Sequence, residues 1–207
     1  MSLLTRTDLQ RHSRLSWACL SLLALVALAF GGAGKGGAAL GTAAALVGCL
    51  GLILPPRERM PALPWRLRAL PRSLDVTPIL ATLVSCPGYG LGWFYLPGPY
   101  DEVVHLLNGI LAGAVFAALL QADRRRRGVL QLAVAGAAFG VAVGSGWEVF
   151  EAVTGLIGSW TDTWTDVLLT TLGATVAAAL APLCDGRRRQ PRQAAMQPRR
   201  RASWPSP

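Results

Sequence analysis

The chain has 207 residues, twenty of them Lys or Arg and eleven Asp or Glu, for a formal net charge of +9. Charged residues make up 15%, against about 25% in an ordinary soluble domain, and six windows carry none: 15–34, 36–56, 76–100, 103–122, 128–147 and 167–184. A bilayer core of about 30 Å takes about 20 apolar residues at helical rise, so this distribution excludes a soluble globular enzyme and leaves no room for a separate soluble domain.

In chain order, a short tail (1–14) carries Arg6, Arg11 and Arg14 ahead of the first window. Basic residues before an apolar stretch and small residues after it also describe a cleaved signal peptide. The stretch is long for a signal, and cleavage would leave five helices with mismatched loop charge, so it is read as a span. The second window leads into a connection with Arg57, Arg59, Arg66, Arg68 and Arg72. The third contains Cys86-Pro87-Gly88-Tyr89-Gly90, a break whose freed carbonyl needs protein or water beside it in a membrane. The fourth ends at Arg124, Arg125, Arg126 and Arg127, and the sixth at a tail carrying Arg187, Arg188, Arg189, Arg192, Arg199, Arg200 and Arg201.

If the six windows alternate in direction, nineteen of the twenty basic residues fall on one side and Lys35 alone on the other. Basic loops mark the cytoplasmic face. The sequence therefore predicts an all-α, multi-pass membrane protein with six transmembrane helices over 15–184 and both termini in the cytoplasm. The tail at 185–207 mixes Arg, Pro, Gln and Ser and is expected to be disordered. Its arginines suit anionic lipid headgroups, at about 1 kcal/mol per basic residue. Aromatic interleaving is limited to Trp204, so no nucleic-acid partner is expected. Cys19, Cys49, Cys86 and Cys184 form no Cys-x-x-Cys and have no histidine nearby; they read as apolar packing residues. Trp93, Phe94, Tyr95, Tyr100, Trp147, Trp160 and Trp164 mark the outer interface.

The acidic residues then sort by side. Asp8, Glu58, Asp75, Asp123 and Asp185 lie among the arginines, whereas Asp101, Glu102, Glu148, Glu151, Asp162 and Asp166 lie at the outer ends of windows four to six, with His105 a turn deeper. Asp101/His105 and Asp162/Asp166 are i,i+4 pairs and Glu148/Glu151 is i,i+3, so each pair can point from one face of its helix. Three helix ends can thus converge on one cavity. Like charges there repel unless protonated, solvated or bridged by a cation. Carboxylates with one imidazole suit a divalent metal such as Mg, Mn or Zn, and Asp101, His105, Glu148, Glu151, Asp162 and Asp166 are the candidate ligands. Convergence is supported by small residues at the same spacing: Gly136, Gly140 and Gly144 lead up to Glu148, Gly109 and Gly113 follow Asp101 and His105, and Thr170 and Gly173 follow Asp166. Small residues let membrane helices approach closely.

The alternative is that these groups only cap and glue helices. Asp101, Glu102 and Asp162 sit at helix starts favoured by the macrodipole. Glu148 and Glu151 sit at a helix end, which disfavours them, and His105 and Asp166 lie at a depth where ionisable groups are functional by default.

Tyr100-Asp101-x-x-x-His105, Trp147-Glu148-x-x-Glu151 and Asp162-Thr163-x-x-Asp166 followed by Gly173-Ala174 resemble the signature of YjdF-type bacterial inner-membrane proteins, which are similar to the broader VanZ-like group. The resemblance covers roughly 75–181 and implies a bacterial inner-membrane location; it implies no established activity. One departure is Trp164, which stands where that family often has Gln.

Three functional classes follow. The first is a cation-assisted enzyme acting on a lipid-linked or envelope substrate, with His105, Glu148, Glu151 and Asp166 as ligands or acid–base groups; no nucleophile motif accompanies them. The second is a non-catalytic protein that binds a cation or cationic ligand. The third is a proton-coupled transporter, but the cytoplasmic halves of windows four to six offer only Gln121 and Gln131, so a path would have to use the first three helices.

Overall fold

The computed structural model describes residues 9–154 and 159–186. The outermost tails lie outside the described residues. Among those described, all regular structure is helical: α1 (Arg14–Gly32), α2 (Gly36–Ile53), the single turn α3 (Trp65–Arg68), α4 (Thr77–Leu91), α5 (Tyr100–Gln121), α6 (Val129–Thr154) and α7 (Trp160–Gly186). Five of these are long and apolar enough to cross a membrane: α1, α2, α5, α6 and Trp160–Leu183 of α7. Their apolar side chains face outward in quantity, with Leu28, Leu40 and Leu130 each more than 70% exposed. A helix apolar all round belongs in a core or in lipid, and these lack a protein core on that side.

Local chemistry sets the boundaries. The Ser13 side chain accepts from the Ser16 amide at 3.0 Å and opens α1, and Pro55-Pro56 follows the end of α2. The third window is charge-free over 25 residues, yet α4 has only 15, about 22 Å at helical rise. It stops at Gly92, whose φ of 75° is left-handed, a conformation glycine adopts without a Cβ penalty. Short 3₁₀ turns at Arg72–Val76 and Trp93–Tyr95 extend it at either end. Conversely, α6 and α7 run beyond the charge-free windows, because Glu148, Glu151, Asp162 and Asp166 do not break a helix. The last helix reaches Gly186, past the predicted start of the tail.

The helices form two groups. α1, α2 and α4 enclose a core of Leu20, Leu23, Phe30, Ile53, Ile79 and the buried free thiols Cys19, Cys49 and Cys86. In the other group α7 lies between α5 and α6, packing along both, while those two touch each other little. The groups meet chiefly where α4 packs on α5.

Close approach in the second group rests on glycine. A Cβ on Gly109 would lie 2.9 Å from the Thr170 Cα, on Gly113 2.5 Å from the Ala174 Cα, on Gly140 2.6 Å from the Thr171 Cα and on Gly173 2.7 Å from the Ile110 amide nitrogen. Each is below any ordinary contact, so a larger residue would drive the helices apart. The buried residues of α6 are Leu132, Gly136, Gly140, Gly144 and Glu148, the four-residue ridge that the sequence predicts.

Candidate functional site

The i,i+4 spacing on α5 and the glycine seam with α7 bring Asp101, His105 and Asp166 together. His105 Nε2 lies 3.5 Å from Asp101 Oδ1 and 3.5 Å from Asp166 Oδ2, and one ligand atom from each residue lies within 4.8 Å of the others. At 3.5 Å neither contact has ordinary hydrogen-bond length. Two atoms bound to one metal at about 2.1 Å stand about 3.0–3.4 Å apart across octahedral or tetrahedral geometry, so the spacing suits a coordination edge. His105 Nδ1 is 3.4 Å from Thr170 Oγ1. With the proton on Nδ1 the hydroxyl accepts it, which leaves the Nε2 lone pair facing the carboxylates. A support of this kind commonly orients a metal-binding imidazole.

Around this triad the other acidic residues form a second tier. Glu148 is 6% exposed, and its buried Oε1 has no hydrogen-bond partner. Glu151 accepts from Trp147 Nε1 at 2.9 Å. Together with Asp101 and Asp162 these two glutamates bear electrostatically on Asp166. Glu102 is exposed, as expected of a helix-start residue. Lys35 does not neutralise the group, because its Nζ donates to the Gly90 carbonyl at 2.6 Å and so caps the end of α4. The ion pairs of Arg57, Arg66, Arg72 and Arg127 are all formed with Glu58, Asp75 and Asp123 at the opposite end of the helices.

Tyr100, the first residue of its motif, ties the site to the break in α4. Pro87 blocks the bond that the Leu83 carbonyl would receive, and Cys86 Sγ donates to that carbonyl instead at 3.5 Å. One residue on, the Tyr100 hydroxyl enters the opened turn: it accepts from the Gly88 amide at 3.0 Å and donates to the Val84 carbonyl at 2.5 Å. The start of α5, and hence Asp101, is thereby pinned to α4.

A cavity of about 810 Å³ opens beside the triad. It is lined by Asp101, His105, Glu151, Asp162 and Thr170, and also by Asn108 and Ser85. Asn108 Nδ2 donates to Ser85 Oγ at 3.1 Å, while its buried Oδ1 has no partner. The sequence reading passed over Asn108. An amide inside a charge-free window, three residues from His105, was the available signal. It also passed over His12, which at the other end is buried against Asp75, with Nδ1 3.1 Å from Oδ2. Trp164 is 63% exposed, so its departure from the YjdF-type pattern falls outside the site, and Trp147 and Trp160 are exposed as belt residues are.

The chain belongs to the DUF2238 family of predicted membrane proteins, whose profile matches residues 13–187. Neither a curated protein nor a solved structure matches the chain.

Proposed function

We propose that this protein is a six-span protein of the bacterial inner membrane, with both termini in the cytoplasm, that binds a divalent cation at its outer face through Asp101, His105 and Asp166 and uses it to hold the headgroup of a lipid-linked substrate. The observation that carries this reading is the meeting of an imidazole nitrogen and two carboxylates from two helices, within 4.8 Å and at the opposite end from the ion pairs of Arg57, Arg66, Arg72 and Arg127. The YjdF-type motifs are compatible with the family membership; kinship with the VanZ-like group rests on their order alone. Orientation rests on the arginine asymmetry, and the sixth span is α4, lengthened by its flanking 3₁₀ turns. Anionic headgroups are the partner of the arginine-rich face.

In this reading Asp101, His105 and Asp166 are the ligands, and Glu148, with an orphaned buried oxygen, is the fourth. Glu151 and Asp162 line the approach as acid–base groups. A divalent cation there would screen the carboxylates and polarise a phosphoryl oxygen. A binding protein without turnover shares the same cation site and differs only downstream. It is kept as the second reading because no nucleophile motif accompanies these residues in the sequence, which favours binding without turnover. Proton-coupled transport draws less support, since α5 lines the inner half of the cavity with Leu111, Ala112, Val115, Phe116 and Leu119.

The test is metal analysis of the detergent-purified protein after equilibration with Mg²⁺, Mn²⁺ or Zn²⁺. About one ion per chain is expected for the parent and for Glu102→Ala, and none for Asp166→Ala or Glu148→Ala, with all four equally helical and monodisperse. A metal-free parent under every condition would overturn the cation reading. Loss of the fold in both site variants would make these residues helix glue instead.

A further inference from the structure

The cavity is much deeper than a headgroup needs. On α5 its floor includes a helical stripe, Asp101, His105, Asn108, Ala112, Val115 and Leu119, stepping by three or four residues. The eighteen helical steps from Asp101 to Leu119 span about 27 Å, nearly the whole hydrocarbon core of about 30 Å and almost twice one leaflet. α4 and α6 supply the walls, which include Ala81, Ser85, Phe139 and Val143. Phe139 stacks on Phe116 with ring centroids 4.2 Å apart and planes 3° from parallel, making the inner wall continuous and apolar.

Polarity falls along this length. The acidic end has Asp101, His105 and Asp162, then Ser85 and Asn108 with its unpartnered oxygen. Below that the lining on α5 and α6 is hydrocarbon until Arg57 and Asp75 close the far end, where both are engaged with each other at 2.5 Å. A pathway that carried headgroups between leaflets would need polar lining throughout. This gradient instead matches a molecule with one polar end and a tail that passes the bilayer midplane. Diacyl lipids do not have that form, since their paired chains stop near the midplane.

We infer that the groove seats a single hydrocarbon chain longer than one leaflet, and that its occupant is a polyprenyl phosphate, whose phosphate meets the Asp101–His105–Asp166 site through the bound cation. The head placement rests on the cation reading above. The chain placement rests on the groove alone. Because the chain leaves lipid as apolar as the groove, preference comes from close packing rather than from the hydrophobic effect, and a modest length discrimination is expected.

Decaprenyl and farnesyl phosphate share a head and differ only in chain length. Their dissociation constants would be measured on the full chain in lipid nanodiscs with Mn²⁺, at equal mole fraction. The parent is expected to hold decaprenyl phosphate about tenfold more tightly, a difference of about 1.4 kcal/mol. Ala112→Trp, which fills the inner groove, should abolish that ratio while metal stoichiometry stays as in the parent. Val143→Trp, from the facing wall, should do the same and guards against a single variant that fails to fold. Equal affinities in the parent, or a ratio that survives both variants, would overturn the inference. A length preference that persists in His105→Ala without metal would uphold the chain site and remove the cation-held headgroup, so the two failures are separable.

Discussion

The two ends of the helices handle the same side chains in opposite ways. At the basic end Glu58, Asp75 and Asp123 each have an arginine. Asp75 lies between Arg57 at 2.5 Å, His12 at 3.1 Å and Arg72 at 3.5 Å. Arg72 grips Glu58 through two bonds of 2.9 and 2.6 Å. Asp123 takes Arg127 at 2.6 and 2.8 Å and Arg66 at 3.0 Å, while both arginines also donate to the last carbonyls of α5, Leu119 and Leu120. Hydrogen bonding from Arg127 holds the Asp123 carboxyl far below its ordinary range. Burial alone would raise Glu58, but Arg72's hydrogen bonds and the arginine charges together carry it below its usual value. At the acidic end the carboxylates have an imidazole and, among the ion pairs of the described residues, no such arginine. The difference teaches that acidic residues here are structural where counter-charge is built in, and available to a ligand where it is withheld.

Removing a carboxylate from each end should break that symmetry most plainly. Asp75→Ala leaves Arg57 without its carboxylate in a buried site, while Arg72 keeps Glu58, and is expected to cost about 3–5 kcal/mol, read as a lowered thermal midpoint in detergent. Asp166→Ala relieves repulsion and should leave the midpoint unchanged or higher. Equal losses at both ends would mean that the acidic cluster is structural too.

A smaller effect sharpens the acidic end alone. Tyr100→Phe withdraws the hydroxyl from the opened turn of α4, and the Gly88 amide and Val84 carbonyl lose their bridge at a cost of about 1 kcal/mol. Since Tyr100 positions Asp101, metal affinity should weaken along with stability. A variant with parent stability and parent affinity would show that the turn closes on itself.

The smallest effect is the pH dependence of the basic end. Asp123 has a depressed folded-state pKa, so its contribution is present above the unfolded value, about 3.9, and is lost as pH falls through the folded value. Parent and Asp123→Asn midpoints should therefore differ by a constant amount above about pH 5 and converge below about pH 4. A gap that widens with acid would contradict the pairing with Arg127.

Much of this architecture was legible beforehand. Charges are costly in hydrocarbon, so their absence marks the five helices long and apolar enough to cross a membrane, and helical periodicity alone places Gly136, Gly140, Gly144 and Glu148 on one face. The same logic says less about the third window, where Gly92 and the Pro97-Gly98-Pro99 run leave a 15-residue helix inside a longer charge-free stretch. Charge exclusion reports where lipid is, and says little about where backbone bonds stop.

Spacing along one helix also could not say which carboxylates meet. Asp101 and Asp166 stand 65 residues apart, and both stand 3.5 Å from one imidazole nitrogen because Gly109, Gly113 and Gly173 admit the backbones of α5 and α7 to near contact. Glu151 turns to Trp147 instead, Asn108 joins from the groove, and His12 is drawn to Asp75 across the far end. Pattern along a chain encodes which face of a helix is apolar or small; the distance between two helices is settled only when those faces pack, and with it the chemistry between them.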